Sequence, residues 1–241
     1  YKWLEAVGNV LMLERDEKLE KKADSVIDLI AKAQEEDGYL DTYFSIEEPD
    51  KKWTDVLECH ELYCAGHFIE SAVAYYKATG KEKIIQVAYK LADYLDTVFG
   101  PEEGKIHGYP GHQEIEIALI RLYDLSGNEK YLKLAGYFIN TRGTNRFFEE
   151  EFEKRDHISF WAKARTEDPN QYYNQYPYSY YNQFQSPVRE QKKAVGHAVR
   201  GVYMYTAMAD LAAKTGDKEL FKACRTIWDD IVNCQMYITG G

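Results

Sequence analysis

The sequence predicts an all-α protein of the α/α-barrel type, present here as about four helical hairpins, and three observations predict it. A unit repeats three times: Gly66-His67 to Thr79-Gly80, Gly111-His112 to Ser126-Gly127, and Gly196-His197 to Thr215-Gly216. Each copy runs from Gly-His through an apolar helix to a Thr/Ser-Gly turn and a second helix. Such self-similarity marks an array of hairpins that bury their apolar faces only against one another. The two helices of a pair also differ in character. Leu62, Ala65, Ile69, Ala72, Val73 and Tyr76 follow helical spacing with little charge between them, as in an enclosed helix. Ile84, Ile85, Ala88, Leu91, Ala92 and Leu95 instead oppose Lys83, Lys90, Asp93 and Asp96, as in a helix with one wet side. Alternation of the two kinds describes two concentric rings. Finally, turns within hairpins are short, whereas the loops between them, about 36–59, 100–112 and 142–193, are long.

In chain order, the first hairpin pairs residues 1–13 with 16–35 across a break at Glu14-Arg15-Asp16. The second pairs 60–79 with 82–99 around Gly80, and the third pairs 113–125 with 129–141 around Gly127. The fourth pairs 194–214 with 218–236 around Gly216. Glycine at each of these turns suits the left-handed cap of a helix C-terminus. No polar linker divides the chain, so residues 1–241 read as one partial barrel domain that carries the loop 142–193 within it. Long loops gathered at one end of a rigid scaffold are where binding and chemistry concentrate. All three deliver a histidine to the start of an inner helix, so His60, His112 and His197 are expected around one cavity.

Composition narrows the function. The 241 residues carry a formal net charge of -10, which argues against nucleic acid, since phosphate binding needs basic patches. No apolar run reaches the roughly 18 residues of a membrane span. The four cysteines, Cys59, Cys64, Cys224 and Cys234, are too few for a disulfide scaffold and favour a reducing, cytoplasmic setting. Cys224 and Cys234 are expected as small core residues of an amphipathic helix. The chain opens at Tyr1 without Met and already in helical pattern, so residues are expected to precede it.

Three stretches carry candidate chemistry. In Cys59-His60-Glu61-Leu62-Tyr63-Cys64-Ala65-Gly66-His67, the residues His60, Cys64 and His67 fall on one helical face, but no fourth metal ligand is visible. His60, at the helix start, is the candidate site residue. Gly108-Tyr109-Pro110-Gly111-His112-Gln113-Glu114 fixes a tight backbone path into a helix start. Gly111, His112, Gln113 and Glu114 are therefore candidates for binding a neutral polyhydroxyl ligand. The tyrosine- and amide-rich tract 170–181 reads as an ordered lid whose rings stack on sugar faces. There is no nucleophile elbow, Walker loop or dinucleotide fingerprint.

Taken together, His60-Glu61-Leu62-Tyr63, Gly108 to Glu116, Pro187-Val188-Arg189-Glu190-Gln191, Ala194 to Arg200 and the closing Met236-Tyr237-Ile238-Thr239-Gly240-Gly241 resemble family 127 of the glycoside hydrolases, the β-L-arabinofuranosidases. The resemblance covers nearly the whole chain. It implies an (α/α)6 barrel and retaining hydrolysis of terminal β-L-arabinofuranosides in an arabinose-containing oligosaccharide or glycoprotein glycan. It also implies a cysteine nucleophile bound to zinc. The family's sugar-binding histidines match His60, His112 and His197, with Gly111 beside His112. Its acid/base glutamate, zinc ligands and nucleophile are expected beyond Gly241, so no catalytic residue and no metal ligand is assigned within this chain. Gln185 stands where the family has a histidine, which bears on the substrate. Two other functions fit the same residues: a sugar epimerase in which paired histidines exchange a proton, and a non-catalytic helical scaffold.

Overall fold

The computed structural model describes residues 1–156, 158, 160 and 178–240. The expected hairpins are present. The first joins α1 (Lys2–Leu13) to α2 (Glu17–Ala33), and Asp16 caps α2 by accepting from the Lys18 and Leu19 amides at 2.9 and 3.0 Å. A short α3 (Thr42–Ile46) follows within the loop. The second hairpin joins α4 (Glu61–Thr79) to α5 (Glu82–Val98), and the third joins α6 (Ile115–Ser126) to α7 (Glu129–Thr141). Short helices α8 (Phe147–Glu153) and α9 (Tyr178–Tyr181) lie in the long loop. The fourth hairpin joins α10 (Ala198–Thr215) to α11 (Lys218–Asp230), which ends in a π turn, Ile231–Gln235.

Gly80, Gly127 and Gly216 all sit at φ near 70° and donate their amides back into the last helical turn, as a left-handed cap requires. The fourth hairpin departs from expectation at its start. Residues 194–197 are loop, not helix, because Gly196 takes φ 77° and His197 caps α10.

Helix α1 packs on α4, α4 on α6, and α6 on α10; outside them α2 packs on α5, and α5 on α7. This is an inner and an outer arc, all-α apart from one bridge pair, Phe99–Ile106, among the described residues. One apolar core runs between the arcs from Leu4 to Ile227. The arc's two ends differ from its middle. Trp3, Val10, Met12, Leu13 and Leu29 are exposed on the first hairpin, as are Val199, Val202, Phe221 and Trp228 on the fourth, whereas among the described residues α4–α7 expose no large apolar side chain. Helices with flanking hairpins bury their apolar faces; those at the ends of the arc do not.

Candidate functional site

His60 precedes α4 with a left-handed backbone, φ 59° and ψ 19°. For a residue with a Cβ this conformation is costly and is held by its surroundings. Here its ring Nδ1 bonds the Glu58 carbonyl. Below it, Glu61 accepts from the Tyr39 hydroxyl at 2.6 Å and the Trp53 amide at 3.0 Å, which ties the loop 36–59 to the start of α4. Burial pushes the Glu61 carboxyl up to about 8.

The second histidine arrives on Gly111. A Cβ on Gly111 would stand 2.0 Å from the Leu57 carbonyl oxygen, so the two loops touch backbone to backbone, and the Gly111 amide donates to the Val56 carbonyl at 3.3 Å. That contact brings His112 beside His60, with ring centres 5.8 Å apart. The third histidine, His197, lies 5.8 Å from His112 on its other side. Tyr63 packs against His112 at 4.3 Å, Tyr203 lies 6.0 Å from it, and Tyr181 lies 5.4 Å from His197. Three loops, each leading into a different hairpin, thus bring three imidazoles together, with Tyr63 from α4, Tyr203 from α10 and Tyr181 from α9 beside them.

Their hydrogen bonds assign the ring protons. A carbonyl only accepts, so Nδ1 of His60 carries the proton toward Glu58, and Nδ1 of His112 carries it toward the Gln113 carbonyl at 2.8 Å. Nε2 of the His112 ring is then an acceptor. His197 is reversed: its Nδ1 accepts the Arg200 amide at 3.4 Å, which leaves the proton on Nε2. Burial depresses His112 to about 3, and burial with the Arg200 charge lowers His197, so both rings are neutral at pH 7.

Gln113 and Glu114 are not at this surface. Gln113 is fully buried and gives its side-chain amide to Gln183 Oε1 at 3.1 Å; Glu114 is buried 3.2 Å from His67 Nδ1. The helix start turns both inward, beneath the rings, rather than out toward the histidine surface. Burial and the neighbouring Glu70 push Glu114 up to about 10, so it keeps its proton, while Glu70 faces the Arg121 guanidinium. Glu5, His67 and Glu70 bring ligating atoms within 4.8 Å of one another, but Arg121 already supplies a cation at Glu70 and approaches Glu5 to 4.0 Å.

The face proposed for His60, Cys64 and His67 is not realised, because α4 begins at Glu61 and His60 stands outside its periodicity. Cys59 is buried with Tyr39 and Phe44, and burial raises its thiol. Burial likewise pushes Cys64 up to about 11. Cys224 is half-buried on α11, and Cys234 is exposed in the π turn rather than in the core. These cysteines do not gather into a thiolate site for zinc among the described residues. Of the aromatic tract, residues up to 177 lie outside the described residues.

A residue the sequence did not single out is Arg142. Fully buried, it donates to the carbonyls of Asn182 and Pro110 and stacks 4.9 Å from the Tyr109 ring, tying the His112 loop to the segment before His197. The signal was an arginine just past an apolar helix, indistinguishable from a surface cap.

The family description "Beta-L-arabinofuranosidase, GH127 catalytic domain" matches residues 1–241. A non-reducing end β-L-arabinofuranosidase of Bifidobacterium longum subsp. longum is 40% identical over 247 residues, covering 100% of this chain and 36% of that protein. The crystal structure of Ara127N-Se, a GH127 β-L-arabinofuranosidase from Geobacillus stearothermophilus T6, matches with a TM-score of 0.90 at 54% identity, over 100% of this chain and 36% of that one. The GH127 β-arabinofuranosidase BT3674 matches at 0.83 and 40% identity, over 100% and 34%. The chain therefore spans little more than a third of the length of these relatives.

Proposed function

Because the chain belongs to the GH127 family of β-L-arabinofuranosidase catalytic domains, we propose that it forms the sugar-holding part of an enzyme that hydrolyses terminal β-L-arabinofuranosides. The observation that carries this reading is the meeting of His60, His112 and His197 at 5.8 Å spacings. The acceptor nitrogen of His112 and the N–H donor of His197 suit sugar hydroxyls, which both donate and accept. The neutral rings of His112 and His197 also suit a neutral furanose. Each hydrogen bond contributes about 0.5–1.5 kcal/mol, and its greater effect is to hold the anomeric carbon in one orientation toward the attacking group. The tyrosines Tyr63, Tyr181 and Tyr203 present ring faces that exclude water beside those bonds.

The reaction is read as retaining, through a covalent glycosyl intermediate on a thiolate. The cysteines of this chain do not fit that role, so the nucleophile, its zinc, and the acid/base are assigned to residues outside 1–241. Gly111 acts by close approach, and Gln113 and Glu114 support the rings from beneath. The substrate class is arabinofuranose-terminated glycans. The test is hydrolysis of an aryl β-L-arabinofuranoside by the intact enzyme, wild type against His112→Ala and His197→Ala. Turnover that is unchanged in both variants overturns the reading, as does epimerisation of a free hexosamine supplied to the enzyme in place of the arabinofuranoside.

A further inference from the structure

Gln183 lies just beyond α9, fully buried and with a left-handed backbone at φ 54°. Its Nε2 faces three carbonyl oxygens, those of Tyr181 at 3.0 Å, Val195 at 2.8 Å and His197 at 3.2 Å. Its Oε1 receives the Gln113 side-chain amide at 3.1 Å. The flipped amide would set an oxygen against three oxygens, so the network leaves one orientation. Gln113 in turn offers its own carbonyl to the His112 ring. The His112 ring, Gln113, Gln183 and the His197 backbone carbonyl are therefore linked in sequence, through the Gln113 carbonyl and side-chain amide and the Gln183 amide. Gly196 allows the close approach on the His197 side, where a Cβ would stand 2.1 Å from the Tyr180 carbonyl oxygen.

Such a buried amide is held by four partners, and losing one strands the others without water. Loops 108–114 and 194–197 belong to different hairpins. Between them the side-chain amides of Gln113 and Gln183 make a short polar bridge, with the Asn182 carbonyl at 3.5 Å and the Met204 sulfur at 3.7 Å from the Gln113 amide nitrogen. We propose that Gln183 is a positioning residue that sets the spacing and facing of His112 and His197, acting through Gln113, so that the sugar is gripped by the two rings as a pair. This rests on the reading that those histidines hold the sugar.

The test is a double-mutant cycle in the intact enzyme, read by L-arabinose affinity and by KM and kcat on an aryl β-L-arabinofuranoside. Gln113→Met keeps the volume and the carbonyl that His112 uses but removes the bond to Gln183. Gln183→Glu keeps the shape and removes the N–H donors, and it serves if the first variant does not fold. Either is expected to raise KM about tenfold with kcat within about threefold, the pattern of lost uniform binding. In that background His197→Ala should cost less than half its wild-type factor, because the pair is already uncoupled. Gln191→Met cuts only the side-chain bonds to the Gln183 and Ser186 carbonyls and should lower the melting temperature while leaving KM in place. Additive factors overturn the proposal, as does an equal rise of KM in Gln191→Met. If His112→Ala and His197→Ala alone leave arabinose affinity unchanged, the reading of the site fails and Gln183 with it. If they weaken it and the cycle is additive, only Gln183 falls.

Discussion

Replacing Gly111 by alanine tests whether backbone contact between two loops builds the site. The glycine is required for space, not for an unusual φ. An alanine Cβ at this position would lie 2.0 Å from the Leu57 oxygen and 2.5 Å from both the Leu57 carbonyl carbon and Cα. All three atoms are backbone and cannot rotate away. Ordinary contact is about 3.5 Å, so the loops must part by about 1.5 Å. Overpacking of this kind costs about 1–3 kcal/mol, and loss of the Gly111 amide bond to Val56 adds about 1 kcal/mol. The sum, about 2–4 kcal/mol, lowers the melting temperature by several degrees, at about 2–4 °C per kcal/mol for a domain of this size. The separation also carries His112 away from His60, and a misplacement near 1 Å can cost about 100-fold in rate. Calorimetry and aryl β-L-arabinofuranoside kinetics on the intact Gly111→Ala enzyme measure the two effects. A melting temperature within a degree of wild type, with unchanged KM and kcat, refutes the reasoning.

Other outcomes follow from the same geometry. His112→Ala and His197→Ala should each weaken turnover roughly two- to tenfold, as one lost hydrogen bond implies, without unfolding the intact enzyme; a large drop in melting temperature with full activity makes the residue structural. Glu114 binds its proton more tightly in the folded chain, so its contribution is complete below its ordinary range near 4.5 and is lost as pH rises toward about 10. His67 and His112, depressed to about 4 and 3 by burial, contribute above their ordinary 6.5 and lose it as pH falls. Stability should therefore fall on both sides of mildly acidic to neutral pH. Glu114→Gln should flatten the alkaline limb, and an equal fall between pH 7 and 9.5 in both proteins would falsify this. Residues 1–241 alone should not cleave the aryl substrate and should self-associate through Trp3, Leu13, Phe221 and Trp228 in sedimentation; monomeric, active protein contradicts both expectations.

The hairpins were legible because their signals are local. Periodicity separates enclosed from half-wet helices, and Gly80, Gly127 and Gly216 end three of them. His112 and His197 were legible through the repeat, just before α6 and α10, whereas the first copy's histidine, His67, lies within α4 and His60 was legible from its place at a helix start. Their supports were not. Gln183 takes its meaning from Gln113, 70 positions away, and from a left-handed backbone that glutamine does not advertise. Glu114 looked like a helix-start carboxylate facing outward, and only packing against His67 and Glu70 shows it turned inward, where burial and Glu70 raise its proton affinity. The short α3, begun by Asp41 and anchored by buried Phe44, is too brief for periodicity to register.

The three imidazoles sit at the starts of α4, α6 and α10, and no single hairpin owns two of them. The site is thus a product of assembly: before the fourth hairpin docks, His112 has no His197 beside it, and before the second and third dock, His60 and His112 are apart. A sugar that binds all three rings binds only the docked arrangement and so favours it by mass action. On the proposed function, substrate would then act as a clasp across the second, third and fourth hairpins.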